Sequence, residues 1–176
     1  LKLLRVGFLR NILIISLVFA TALPLLVIFF IHPAFTEQLT RNTENDAILV
    51  ARHLMADIIT DQTELTHDFP DGQTAHRIES VVENFGIMNL KLFSDSGEII
   101  FSTAAGDVGT INKKDYFHEV VAKGGVLTNV VRKDSKSLED QTVTVDVLET
   151  YVPIIKNGRF LGAFELYYNI SERTQR

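Results

Sequence analysis

The sequence predicts an α+β domain, a five-stranded antiparallel sheet with helices packed on its faces, held behind one membrane-spanning helix. Three observations predict it. An uncharged, strongly apolar block runs from Ile12 to Ile31. Apolar residues then recur at three- and four-residue steps as far as Phe85, and after Gly86 the period drops to two, with turn residues between the runs.

The apolar block sets the domain organisation. At about 1.5 Å per residue, twenty helical residues cover roughly 30 Å, the thickness of a bilayer's hydrocarbon core. Pro24 is tolerable there, because membrane helices re-satisfy a freed carbonyl locally. Lys2, Arg5 and Arg10 precede the block without any acid, which places the N-terminus in the cytoplasm and exports the remainder. A cleaved signal peptide is the alternative, but the run exceeds a signal core and no convincing small-x-small cleavage site precedes Thr36. The expected division is therefore a cytoplasmic N-terminus (1–11), a transmembrane helix (12–31), an exported domain (32–170) and the start of a connector (171–176).

The segment after Ile31 holds all 22 acids against 14 of the 17 bases, a balance of −8. That excludes nucleic acid as a partner and suits a domain facing the periplasm or the outside. There is no cysteine, so the exported part must rely on its core without disulfides.

Pro33 is expected to break the chain just past the membrane. A long helix follows over about 37–61, with Ile48, Ala51, Leu54 or Met55 and Ile58 on one face and polar early turns that are either wet or paired with another helix. A second helix over about 75–85 places Ile78, Val81, Val82 and Phe85 together and stops at Gly86. Strands at 87–94 and 98–103 form a hairpin about Asp95-Ser96-Gly97. Asn112 can cap a helix over about 113–124. Strands at 126–133, 142–155 and 159–169 complete the sheet, the last two joined by Asn157-Gly158, a strong hairpin signal. Within TVTVDVLETYVPI the alternation breaks phase, and a bulge near Leu148 would explain it.

This element order resembles the single Cache sensor domains, extracytoplasmic relatives of the PAS fold, over about residues 37–170. Lys114 two positions before Tyr116-Phe117, the YVPI run at 151–154 and NGRFLGAFEL at 157–166 carry the resemblance. Lys114 stands where the family commonly has Arg, so a point charge replaces a bidentate carboxylate fork. The resemblance implies a PAS-like sheet, a bacterial inner-membrane receptor with its sensing domain in the periplasm, and a small ligand held between the sheet and the middle helix and loop. It also implies an output module beyond Arg176, after a second membrane helix.

In KKDYFHEVVAKG (113–124), Lys114 and His118 are four residues apart and share a helix face. Two readings stand. Lys114, Tyr116 and His118 line a pocket for an anionic ligand, or the two cations are solvated and the aromatics are core anchors. Arg132 ends the apolar strand LTNVV, either as a rim residue or as the best bidentate group near the pocket. Asp146 and Glu149 interrupt the following strand, and Asp146 either recognises an amine or faces water. Of Tyr151 and Tyr168, one is expected in the plain core, and the sequence leaves open which faces the pocket. The ligand-binding candidates are thus Lys114, Tyr116, His118, Arg132, Asp146, Glu149 and Tyr151.

Five scattered histidines show no H-x-x-x-H or H-E-x-x-H spacing, and no nucleophile, phosphate-loop or paired-carboxylate motif is present. Neither metal, cofactor nor catalysis is expected of this segment. The expected function is small-ligand sensing, with a carboxylate or amino acid as ligand, for a two-component histidine kinase that dimerises through the long helix. A diguanylate cyclase or chemoreceptor is the alternative output. A non-binding dimerisation or protein-interaction module is the alternative role, favoured if Phe93, Phe101, Phe117 and Phe164 fill the interior.

Overall fold

The computed structural model describes residues 2–60, 64–66, 68–104 and 106–173. The expected helix end at Asp61 and the tail's last three residues lie outside them. The chain divides into two compact units, residues 1–39 and 40–176.

In the first unit α1 spans Lys2–Leu26 and a π-helical turn spans Val27–Ile31. Within them Gly7–Ile31 forms a 25-residue stretch long and apolar enough to cross a membrane. The wide turn lies past Pro24 within the span. Thr21 hides its hydroxyl by donating to the carbonyls of Leu17 (3.0 Å) and Val18 (3.1 Å).

The next helix, α2, spans His32–Ile58. Helix runs without a gap from the π-helical turn through Pro33, so the expected break does not occur there. From Thr40 onward α2 belongs to the second unit. Its inward stripe is Thr43, Ala47, Val50, Ala51, Leu54 and Ile58, while Ile48 and Met55 flank it half-buried. Helix α3, Gly72–Asn84, is capped by Asp71, whose carboxylate accepts from the Thr74 N–H at 2.8 Å, and buries Ile78 and Val82. Phe85, expected on that inner face, is exposed at the helix end.

The strands β1 (Asn89–Ser94), β2 (Ile99–Ser102), β3 (Leu127–Val131), β4 (Val147–Lys156) and β5 (Arg159–Asn169) form one antiparallel sheet in the order β2-β1-β5-β4-β3. A short helix α4, Ile170–Arg173, follows β5. Asn157 and Gly158 both adopt positive φ, which the tight β4–β5 turn demands. β4 starts at Val147, later than expected, because residues 132–146 leave the sheet as an excursion. No bulge occurs at Leu148; the register shift lies between Ile154 and Ile155.

Alternation gives the sheet two unlike faces. Leu90, Leu92, Leu148, Val152, Phe164, Leu166 and Tyr168 pack with the inner stripes of α2 and α3. Phe93, Tyr151 and Ala163 turn the other way, toward Phe117 and Val121. These two residues anchor a π-helical turn, Phe117–Val121, which follows helical Asp115-Tyr116 within the expected 113–124 span. Phe93 and Phe117 meet with ring centroids 5.3 Å apart. Thus only two of the four phenylalanines named as potential fillers lie on this second face.

Candidate functional site

The second face carries two neighbouring cross-strand rows. Lys91 on β1 stands opposite Glu165 on β5, Glu165 opposite Tyr151 on β4, and Tyr151 opposite Leu127 on β3. In the next row Tyr167 lies between Asn89 and Glu149, and Glu149 stands opposite Asn129. Register and alternation alone therefore bring Lys91, Glu165, Tyr151, Tyr167 and Glu149 into one buried patch.

Two loops close over it. Residues 107–112 fold back along β2, with the Ile99 N–H donating to Thr110 O, the Gly109 N–H to Ile99 O and the Asn112 N–H to Gly97 O, each at 2.8 Å. Gly97 is required at this contact: its φ is +85°, and a Cβ would lie 2.8 Å from the Asn112 carbonyl oxygen. The 132–146 excursion is pinned by Asp134 N–H to Val143 O and Ser137 N–H to Gln141 O, both 2.8 Å. The Leu138 N–H ties it to Glu149 Oε2 at 3.1 Å. The first loop delivers Asp107 and the second Glu139.

Lys91 Nζ donates to Glu139 Oε2 and lies 3.6 Å from both Asp107 Oδ2 and Glu165 Oε2. The ammonium is also 5.3 Å from the Tyr167 ring centroid. Tyr167 Oη donates to Glu165 Oε1 at 2.8 Å. Tyr151 Oη donates to Glu149 Oε1 at 3.3 Å and shares a 3.1 Å hydrogen bond with Tyr116 Oη, which accepts from Asn112 Nδ2 at 2.8 Å. Glu165 Oε2 is buried and, apart from the Lys91 ammonium at 3.6 Å, has no polar partner among the described residues.

Burial is the largest influence on these groups. It pushes the Glu165 carboxyl well above the usual range, helped by the Glu139 charge and opposed by Lys91. Burial raises Glu139 in the same way, against the pull of Lys91. Burial also favours neutral Lys91, but Glu165, Glu139 and Asp107 together outweigh it and hold the amine above its ordinary value. The Tyr116, Tyr151 and Tyr167 phenols are raised by burial and stay protonated as donors.

A cleft of about 110 Å³ opens between the two loops, lined by Asp107, Asn112, Lys113, Lys114, Glu139 and Gln141, among others. Asp107 and Glu139 thus belong both to the cleft wall and to the buried cluster. Lys114 sits at the rim in an exposed pair with Asp140 at 2.5 Å. Among the described residues no group of three ligating side chains could hold a metal.

Of the residues singled out in the sequence, Tyr116, Glu149 and Tyr151 come together in this cluster, with Lys114 at its entrance. His118 is exposed, edge-on to Phe117 at 5.5 Å. Arg132 is exposed just past β3. Asp146 accepts from the Lys133 N–H at 2.7 Å, outside the cluster. Tyr168 lies in the helix-side core, so Tyr151 and Tyr167 are the tyrosines of the site face. Lys91, Asp107, Asn112, Glu139, Glu165 and Tyr167 were not legible as site residues from sequence alone. A charge within each of the apolar runs NLKLFS and GAFELYY was the available signal.

No family model and no curated protein matches this chain. Solved structures do. The Escherichia coli DcuS sensor domain superposes with a TM-score of 0.57 at 17% identity, covering 78% of this chain and 96% of that one. The chain shares the fold of that sensor domain. Two structures of the Campylobacter jejuni chemoreceptor Tlp3 ligand-binding domain agree. The complex with 4-methylisoleucine gives a TM-score of 0.56 at 15% identity, and that with L-norvaline gives 0.55 at 15%. Each covers 79% of this chain, which spans only 56% of the Tlp3 domain. The sheet register places Lys91, Glu149 and Glu165 on the face covered by the loops, away from α2 and α3.

Proposed function

We propose that the folded unit is the extracytoplasmic small-ligand sensing domain of a membrane-anchored receptor, most simply a two-component histidine kinase, and is not itself an enzyme. The observation that carries this reading is the cleft between the covering loops, two of whose wall residues, Asp107 and Glu139, reach a buried, charged cluster built on β1, β4 and β5. Burying so many ionisable groups under loops is costly for a structural core. Tlp3, of the same fold, is a ligand-binding domain with amino acids bound. An apolar helix at the N-terminus supports a membrane anchor, with the domain outside the cytoplasm. A chemoreceptor or diguanylate cyclase output fits the same domain.

The test is a thermal-shift screen of the full chain in bilayer discs against small carboxylates, amines and amino acids. At least one compound is expected to raise Tm, and Tyr116→Ala to abolish that rise. No response to the whole panel, or a response that survives in Tyr116→Ala, contradicts the proposal.

One observation favours a protein-interaction role instead. Leu49, Phe85 and Met88 are exposed, and a groove of about 440 Å³ between α2 and the end of α3 is lined by Leu49, Val50, His53 and Phe85. Homodimerisation through α2 would cover this surface.

A further inference from the structure

We infer that residues 132–146 form a stiff strap that couples the cleft to α4, with Asp146 as its joint. The coupling lies within the chain itself. It goes beyond the sensing role, because it holds whether or not the cleft is occupied.

Asp146 lies outside the buried cluster, and its bonds show what it does instead. It stands at the root of the excursion and uses three polar groups there. Its carbonyl oxygen accepts from the Ile170 N–H at 2.9 Å, and its own N–H donates to Ser171 Oγ at 3.1 Å. Its Oδ1 accepts from the Lys133 N–H at 2.7 Å. One residue thus ties together the departing arm of the excursion, the returning arm and the start of α4.

The other end of the excursion reaches the cleft, whose wall includes Glu139 and Gln141. Glu139 is held by Lys91. Gln141 Nε2 donates to Asp107 Oδ1 at 3.3 Å, which bridges the two covering loops. The cleft is therefore spanned by a bond from the tip of the strap.

A strap transmits displacement only if it does not absorb it, and this one is bonded along its length. The Asp134 N–H donates to Val143 O at 2.8 Å and the Val143 N–H to Ser135 O at 3.1 Å. Lys136 and Thr142 are antiparallel bridge partners. Near the tip the buried Ser137 hydroxyl accepts from the N–H groups of Glu139 (3.3 Å) and Gln141 (3.2 Å). Beneath the ribbon Val143 is buried with Val131, Val147 and Tyr167, and Val145 packs against them. Hydrogen-bonded, packed elements of this kind carry coupling between sites, because they shift as units. α4 overlaps the connector expected at residues 171–176, so the strap links the cleft to the segment that would pass a signal on.

Amide hydrogen exchange of the full chain in bilayer discs, with no ligand added, tests this. Gln141→Ala cuts the bridge to Asp107 at an exposed position. It is expected to speed exchange of the Ile170 N–H by about fivefold or more, the lower end of coupling between linked sites, with Leu92 in β1 unchanged. In an Asp146→Ala background the same substitution is expected to leave Ile170 unaffected. Asp146→Asn keeps an oxygen for the Lys133 N–H and should preserve the response. Ser171→Ala opens the joint from the α4 side and is expected to speed exchange at Ser137 and Leu138, since coupling is reciprocal. Faster exchange at residues 137–141 alone in Gln141→Ala would overturn the proposal. Equal acceleration at Leu92 would mean general loosening and would overturn it as well. An undiminished Ile170 response in Asp146→Ala would remove Asp146 as the joint and end the proposal in that form. Because no ligand is present, none of these outcomes depends on the sensing role.

Discussion

Lys91 is the residue on which the site face turns. Its ammonium is buried and is held charged only because carboxylates surround it. Removing one partner of a buried ion pair leaves the other uncompensated, which costs about 3–5 kcal/mol. Lys91→Met is therefore expected to lower unfolding stability by about that amount, with Glu165→Leu in the same chain recovering most of it. Urea denaturation of the single and double variants measures this coupling. A single variant as stable as the wild type would mean that the cluster is solvated. At this scale the sequence was only partly legible. Tyr116, Glu149 and Tyr151 stood out because an aromatic pair and a phase break drew attention to their segments. Lys91 and Glu165 are set opposite each other by strand register, and alternation alone reveals a face without revealing its cross-strand partner. Asp107 and Glu139 come from loops, where no periodicity exists to read.

At the scale of elements, periodicity located every strand, α2 and α3, because each turns an apolar stripe toward the core, although β1, β4 and β5 bury their other face as well. The deviations have local causes. The middle helix covers only residues 115–121 and is held on the sheet by Phe117 and Val121. The strand expected from Thr142 begins at Val147 because the preceding residues bond to one another, with the Val143 N–H reaching Ser135 O at 3.1 Å. Gly162 shows how closely β1 and β5 meet. It has φ +156°, and a Cβ there would lie 2.0 Å from the Phe93 carbonyl oxygen. Gly162→Ala is expected to destabilise the fold by at least about 2 kcal/mol, the scale of backbone strain with no room for relief. A thermal melt showing wild-type Tm would contradict that packing.

For the whole molecule, sequence alone sufficed for a membrane-length apolar helix and a folded α+β unit with an acidic balance, since both follow from composition and hydrophobic pattern. What sequence could not supply was the choice between two surfaces of that unit, the cleft between the covering loops and the groove beside α2. The groove lies on the helix-side layer, and the cleft lies on the opposite face of the sheet. Occupancy of one is therefore distinguishable from occupancy of the other. Amide hydrogen exchange of the full chain in bilayer discs, with and without a compound that raises Tm, separates them most directly. Slower exchange at residues 107–114 and 136–141 is the expected result. Protection at residues 46–53 and 84–85 instead, with those loops unchanged, would contradict a ligand site above Lys91.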